Sequence, residues 1–270
     1  MNDEEKQHEV ETSPFDQFRS VLQAVAKGID AFKKRANEIA AVVGPAIAQI
    51  HANIQLLPDR AIRLQRSLAE RGWYVLPNMP VTDLFDLEDE FAKNTTDVVD
   101  HRMSQMVESC INEVETQLST DFPRRGAIFK EAFQAHHEGR YASAITLLLT
   151  QADGICSELF GVVFFSVERG TSDPRTRRLV EALQLEVFEE MILEPLVTRG
   201  GVSASDNELS LYPDSLHRHQ IMHGKDTAYA TKINSLKAIS LAGYLGGLAK
   251  HTIDRAHANR ASRAGSATQY

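Results

Sequence analysis

The sequence predicts an all-α protein, on three observations. From Phe15 onward apolar residues recur at spacings of three and four, the period of a helix that buries one face. No alternating apolar–polar run extends beyond a few residues, and no hairpin dipeptide is flanked by β-branched residues. After Pro123 two apolar stripes follow one another with only a short turn at Gly139 between them. The first is Ile128, Phe129, Ala132 and Phe133; the second runs from Tyr141 through Ala144, Ile145, Leu148, Leu149, Ala152, Ile155 and Cys156 to Leu159. Two stripes joined this closely form an antiparallel helical hairpin.

A chain of 270 residues can bury a substantial core and hold one large or two small domains. The formal charge of −8 argues against a strongly basic nucleic-acid binder, while leaving room for a local patch that engages a phosphate backbone. Cys110 and Cys156 each fall on the apolar side of a helix and read as small buried hydrophobes of a reducing compartment. Met1 to Glu11 is acidic and lacks the apolar run of a secretory signal. The most apolar window, Ile39 to Ala48, is too short to span a bilayer. The expectation is a soluble cytoplasmic protein with no membrane contact.

Residues 1–13 read as a disordered acidic lead. Residues 14–121 read as an N-terminal helical region of long helices or a helical hairpin. Its seam runs through Phe15, Phe18, Leu22, Val25, Ile29, Phe32, Ala36, Ile39 and Val43, then Ile47, Ile50, Ile54, Leu57, Leu64 and Leu68. Such a sustained period packs helix on helix, either within one chain or between two chains. Pro45 should kink it and Pro58 should break it. Trp73, beside Tyr74 and ahead of two prolines, should anchor a loop against the helices. A short acidic helix over Thr82–Ala92 should turn its carboxylates to solvent. A longer helix is expected over Thr96–Leu118.

Residues 122–250 read as a helical domain that begins with the hairpin. Gly161–Thr176 is a loop whose apolar knot, Val162–Phe165, is either a short strand or more helix. A helix over Arg175–Leu193 should end at Pro195, and Thr198–Leu211 should be an exposed polar loop. Past Gly247 the residues 251–270 read as a flexible basic tail beyond a fraying helix end.

The densest nitrogen chemistry lies in Leu216–Gly224, where His217, Arg218, His219 and His223 fall within seven positions. Asp214 is a plausible N-cap and Gly224 a C′ stop, so the cluster occupies one short helix. Thr231 then caps a helix with Ile233, Leu236, Leu241, Tyr244, Leu245 and Leu248 on one side. The sequence contains no glycine-rich phosphate loop, CxxC pair, HExxH or Gly-x-Ser-x-Gly elbow.

Three chemistries fit the cluster. His219 and His223, four apart, share a helix face as two metal ligands do, but no spacing fixes a third ligand, with Asp153 and Asp226 the carboxylates that could supply it. No metal and no cofactor are therefore assigned. In a purely structural role, Arg218 would pair with a carboxylate while the histidines complement the negative end of the helix. The third chemistry is acid–base cleavage of a phosphodiester, in which histidine moves protons and arginine grips phosphate through two hydrogen bonds. Arg218 and His223 lie roughly 140° apart on an ideal helix. They converge only if the helix ends at His223 or if a second copy supplies the partner. Asp153, among Leu149, Ala152 and Cys156, either finds a cation such as Arg218 or faces water at the edge of its helix.

An arginine, a polar residue and a histidine on a short helix late in an all-α domain, after a helical hairpin, resemble the HEPN superfamily (higher eukaryotes and prokaryotes nucleotide-binding). The resemblance covers about Pro123 to Ala249. Arg218 matches the arginine of the R-x4-6-H motif, His219 its polar position and His223 its histidine. His-Gly before a capped apolar helix is similar to prokaryotic members. The resemblance implies a C-terminal HEPN-like helical bundle and a homodimer with both motifs at the interface. It also implies metal-independent cleavage of RNA that leaves a 2′,3′-cyclic phosphate, in a stress, toxin–antitoxin or anti-phage setting with an antitoxin or defence-system protein as partner. Arg218, His219 and His223 would be catalytic, and Asp153 and His217 supporting. Other members are non-catalytic interaction or nucleotide-binding modules, and a dimer that binds a protein partner is the alternative.

Overall fold

From Ser235 to Ala249 the chain carries, Lys237 excepted, apolar or small residues around the whole helix rather than on one face, so a helix there must be enclosed on every side. The computed structural model, which describes residues 57–92, 96–171, 173–183, 185 and 187–267 with Gln23 and Lys27, shows that enclosure. By its internal contacts the chain divides into two units, Met1–Gln55 and Leu56–Tyr270. The architecture described is that of the second. The seam expected before residue 57 lies outside the described residues.

Among the described residues there are eleven α-helices and no strand. They are α1 (Leu57–Glu70), α2 (Val81–Ala92), α3 (Thr96–Ser109), α4 (Ile111–Asp121), α5 (Gly126–His137), α6 (Tyr141–Phe160), α7 (Thr176–Glu181), α8 (Val187–Val197), α9 (Arg218–Met222), α10 (Lys232–Tyr244) and α11 (Lys250–Ala267). The all-α expectation holds. None of these helices is long and apolar enough to cross a membrane.

The core is built around α10. Every residue from Ser235 to Ala249 is buried, including the π-helical turn Leu245–Ala249 that joins α10 to α11. Thr231 caps α10 as its sequence predicts, accepting from the Asn234 amide at 3.1 Å. Ile233, expected on the buried side, is instead 41% exposed, because it lies in the first turn before the helix enters the core. Helices α3, α4 and α6 pack around α10; α5 forms the hairpin with α6, and α1 packs on α8. Trp73 and Tyr74 lie wholly buried after α1. The indole donates to Asp100 Oδ1 at 2.6 Å, and Tyr74 stacks on Tyr244 with ring centres 5.6 Å apart. The anchoring role read for Trp73 is thus what the molecule shows.

Several expected elements are divided or relocated, each for a local reason. The helix expected over Thr96–Leu118 breaks at Cys110, whose φ of −122° leaves the helical range between α3 and α4. The Cys110 thiol donates to the Met106 carbonyl at 3.2 Å, and both cysteines are buried and free. The helix expected over Arg175–Leu193 is two, α7 and α8, and Pro195 lies inside α8 instead of ending it. Proline has no N–H for the Met191 carbonyl one turn earlier, and Gln65 of α1 supplies the missing donor at 3.1 Å. Pro58 is the second residue of α1, in the first turn where a proline costs no hydrogen bond, and the chain before residue 57 lies outside the described residues.

The knot Val162–Phe165 is neither strand nor helix but a turn, from which Phe164 inserts against Tyr74. Thr198–Leu211 is not an exposed loop. It folds into the 3₁₀ turns Gly201–Ser203 and Asp206–Leu211, with Gly200, Gly201, Val202 and Ala204 buried. A Cβ on Gly201 would lie 2.4 Å from the Glu70 carbonyl oxygen, so only glycine lets the chain pass this close to the end of α1. Within α2, Glu88 is not left to solvent, since Arg60 of α1 binds it at 2.5 Å. Past Gly247 the helix continues as α11, because Thr252, Ile253 and Ala256 are buried. The boundary expected between residues 121 and 122 does not coincide with the division at Gln55–Leu56. Helices α3 and α4 on one side of it and α6 on the other pack on the same helix, α10.

Candidate functional site

A helix of five residues does not hold itself together, since nucleation is unfavourable and little propagation follows. Helix α9 is held by its surroundings. Leu216 before it and Ile221 within it are buried, and it rests against α6 and the Gly201–Ser203 turn. His217 occupies the N-cap position without a side-chain cap, so the cap expected at Asp214 is not formed. The Asp214 carbonyl accepts instead from Lys237 Nζ, 2.6 Å away on α10. Gly224 does end the helix. Its φ of 66° is left-handed, and its amide donates to the Ile221 carbonyl at 3.0 Å.

Arg218 turns toward α6 and the loop after it. Its Nη2 lies 3.3 Å from Asp153 Oδ2, and its guanidinium carbon lies 5.0 Å from the centre of the Phe165 ring. Asp153 Oδ1 accepts from the Phe165 amide at 3.2 Å, so one carboxylate fixes both the arginine and the ring beside it. Burial pushes the Asp153 carboxyl above the usual range, opposed by the Phe165 amide and by the Arg218 charge. The Arg218 side chain keeps 30% of its surface exposed.

The His219 and His223 rings sit side by side, with centres 4.4 Å apart and planes inclined at 59°. His223 is exposed, at the C-cap, where the helical path has ended. His219 Nε2 lies 3.4 Å from Asp206 Oδ1, in the 3₁₀ turn upstream. Asp206 also accepts from Gln220 Nε2 at 2.5 Å and from the Lys225 ammonium. Those partners, Lys225 foremost, hold its carboxyl below the usual range. His217 is apart from this pair. Its ring is half-buried and its Nδ1 is out of solvent with no hydrogen-bond partner. Burial lowers its pKa, opposed first by the nearby Gly201 backbone.

Of the sequence-selected residues, then, Arg218 and Asp153 meet, and His219 and His223 meet, while His217 faces the interior. Asp226, considered as a third metal ligand, accepts from the Ala228 amide at 2.8 Å. Among the described residues no three His, Cys, Asp or Glu side chains are grouped to hold a metal ion. Asp206 escaped the sequence reading, since it sits thirteen positions before His219 in a stretch read as exposed loop. The one available signal was Ser205 with Glu208 three residues on. That pair starts a helical turn, and here Glu208 accepts from the Ser205 amide at 2.8 Å. No family model, curated protein or solved structure matches this chain.

Proposed function

We propose that this protein is a metal-independent endoribonuclease of the HEPN type, a cytoplasmic homodimer that acts in stress response or anti-phage defence. The observation that carries the reading is the adjacent pair His219 and His223, with rings 4.4 Å apart, on the short helix and its C-cap that also carry the partly exposed Arg218 side chain. RNA cleavage without a metal needs those groups. A base takes the proton of the ribose 2′-hydroxyl, and the freed oxygen attacks the adjacent phosphorus. The bond from phosphorus to the 5′-oxygen breaks as an acid protonates that oxygen. The products are a 2′,3′-cyclic phosphate and a 5′-hydroxyl. In this scheme His223 is the general base or acid, and His219 shares the proton transfer or orients the substrate. Arg218 offers N–H donors to the charge that grows on the phosphate. Asp153 restrains Arg218 from behind, while His217 supports the turn.

A second reading has its own observation. Arg218 is partnered by Asp153 and Phe165, and His219 by Asp206, so these side chains are accounted for without a substrate. On that reading the chain is a non-catalytic interaction or nucleotide-binding module with a protein partner.

The two are separated by incubating the purified protein with total RNA in excess chelator, beside an Arg218→Ala/His223→Ala variant. Cleavage by the wild type alone, with cyclic-phosphate ends, is the expected result. No cleavage, or equal cleavage by both, rejects the ribonuclease when overexpression also fails to arrest growth. The growth assay covers a nuclease that needs a cellular trigger, and the double substitution should relieve any arrest.

A further inference from the structure

We infer that Asp206 is a positioning residue for His219, holding its ring with Nε2 toward the carboxylate and leaving Nδ1 as the nitrogen that exchanges a proton. Asp206 is the hub of the turn beside α9, meeting His219 Nε2 at 3.4 Å, Gln220 Nε2 at 2.5 Å and the Lys225 ammonium. The groups that face His219 are thus this carboxylate, the His223 ring and the two side chains that share Asp206 with it. A neutral imidazole carries its proton on one nitrogen and a lone pair on the other, and its neighbours decide which. A carboxylate opposite Nε2 repels a lone pair there and attracts an N–H. The tautomer with the proton on Nε2 is therefore selected, and Nδ1 is the basic atom.

The arrangement has the form of a base oriented by a third group, which raises the efficiency of proton transfer by fixing tautomer and direction together. The 3.4 Å separation is a close charge contact, longer than the usual N–H···O distance, as catalytic contacts often are before substrate is bound. Asp206 itself is held on Oδ2 by Lys225 and on Oδ1, the oxygen that faces His219, by Gln220, so its carboxylate does not swing freely. The selection of a tautomer stands on this geometry alone, while its catalytic consequence rests on the ribonuclease reading.

The test has two arms on the full chain. Histidine-labelled protein is studied by long-range proton–nitrogen NMR at mildly alkaline pH, with His219 assigned through a His219→Gln variant. The expected spectrum is that of an Nε2-protonated ring, which Asp206→Ala turns into a mixture. Asp206→Asn, whose amide oxygen still accepts, keeps it. Lys225→Ala, which removes a partner of Asp206 but not its contact with His219, also keeps it. A wild-type ring protonated on Nδ1, a spectrum unmoved by Asp206→Ala, or an equal change in Lys225→Ala overturns the inference, whether or not RNA is cut.

The second arm is RNA cleavage. Where the wild type cleaves, Asp206→Ala should lower kcat about tenfold with KM unchanged, and Asp206→Asn should recover most of the loss. Equal kcat in wild type and Asp206→Ala overturns the catalytic part. A selected tautomer in a protein that cuts no RNA and arrests no growth on overexpression upholds the positioning and rejects the nuclease.

Discussion

Asp153 carries two tasks on two oxygens, and its substitutions separate them. Oδ2 lies beside the Arg218 guanidinium and Oδ1 accepts from the Phe165 amide. Asn keeps a carbonyl for the amide but loses the charge; Ala loses both and leaves a partly buried N–H without its acceptor. Asp153→Ala should therefore destabilise the fold by about 1–2 kcal/mol and Asp153→Asn by roughly half that, because solvent screens part of the charge interaction with Arg218. Urea denaturation of the two variants checks this, and equal losses would show that the amide contact contributes nothing. That Arg218–Asp153 contact was legible as one of two outcomes, since a carboxylate on the Leu149–Ala152–Cys156 side of a helix needs a partner unless it reaches water at the helix edge. The neighbouring pair was legible too, through the four-residue spacing of His219 and His223. Asp206 was not, because nothing in a spacing of thirteen residues encodes a contact made through a 3₁₀ turn. Nor was the inward position of His217, which depends on Gly201 passing against the end of α1.

At the scale of elements, periodicity located the hairpin α5–α6 and helix α10, since each must bury a continuous apolar stripe. It did not locate the interruptions. The apolar period runs on through Cys110 unchanged, so the change of direction there left no mark in spacing. Pro195 misled in the opposite sense, because the penalty for proline in a helix depends on what happens to the carbonyl it leaves free. Here Gln65 reaches across from α1 and donates to the Met191 carbonyl at 3.1 Å. Helix α8 is thus completed by a side chain from another helix, and Arg66 binds Glu194 at 2.6 Å one position further along the same contact. Replacing Gln65 by Leu should cost about 1–2 kcal/mol by leaving a part-buried carbonyl unpaired. In a Pro195→Ala background the restored N–H satisfies Met191, so the same Gln65→Leu change should cost distinctly less. A double-mutant cycle read by denaturant unfolding measures the difference. Strict additivity would mean that Gln65 does not replace the bond that proline removes.

For the whole molecule, polar ties from α10 decide how stability responds to acid. Lys237 of α10 meets Asp100 of α3 at 3.4 Å, and Ser235 meets His136 of α5 at 2.8 Å between Oγ and Nδ1. His136 is 6% exposed, and burial lowers its pKa from 6.5 to about 4. The charges of His137 and Lys232 push the same way, and only Glu108 opposes them. The folded protein therefore keeps His136 neutral where the unfolded chain already binds a proton. Between pH 6.5 and about 4 the unfolded state holds more protons, so stability falls as pH falls across that window. Above 6.5 the contribution is complete; below about 4 both states are protonated and no more is lost. The loss should be about 3 kcal/mol. His217, also lowered by burial, adds to the same slope, whereas Asp153, raised by burial, acts against it. Glu138 and Glu208, held low, begin to weaken the fold as pH falls through 4.5, at the acid end of the same window, and Asp206 follows from 3.8 downward. Lys237 is lowered from 10.5 and stays protonated in both states in acid, so it adds no slope there. A His136→Gln variant keeps an amide for Ser235 and removes the titration. Its unfolding free energy, measured by urea from pH 7 to 4, should fall less steeply than that of the wild type, with the residue of the slope left by His217. Parallel curves for the two proteins would show that His136 takes up its proton without unfolding the contact between α5 and α10.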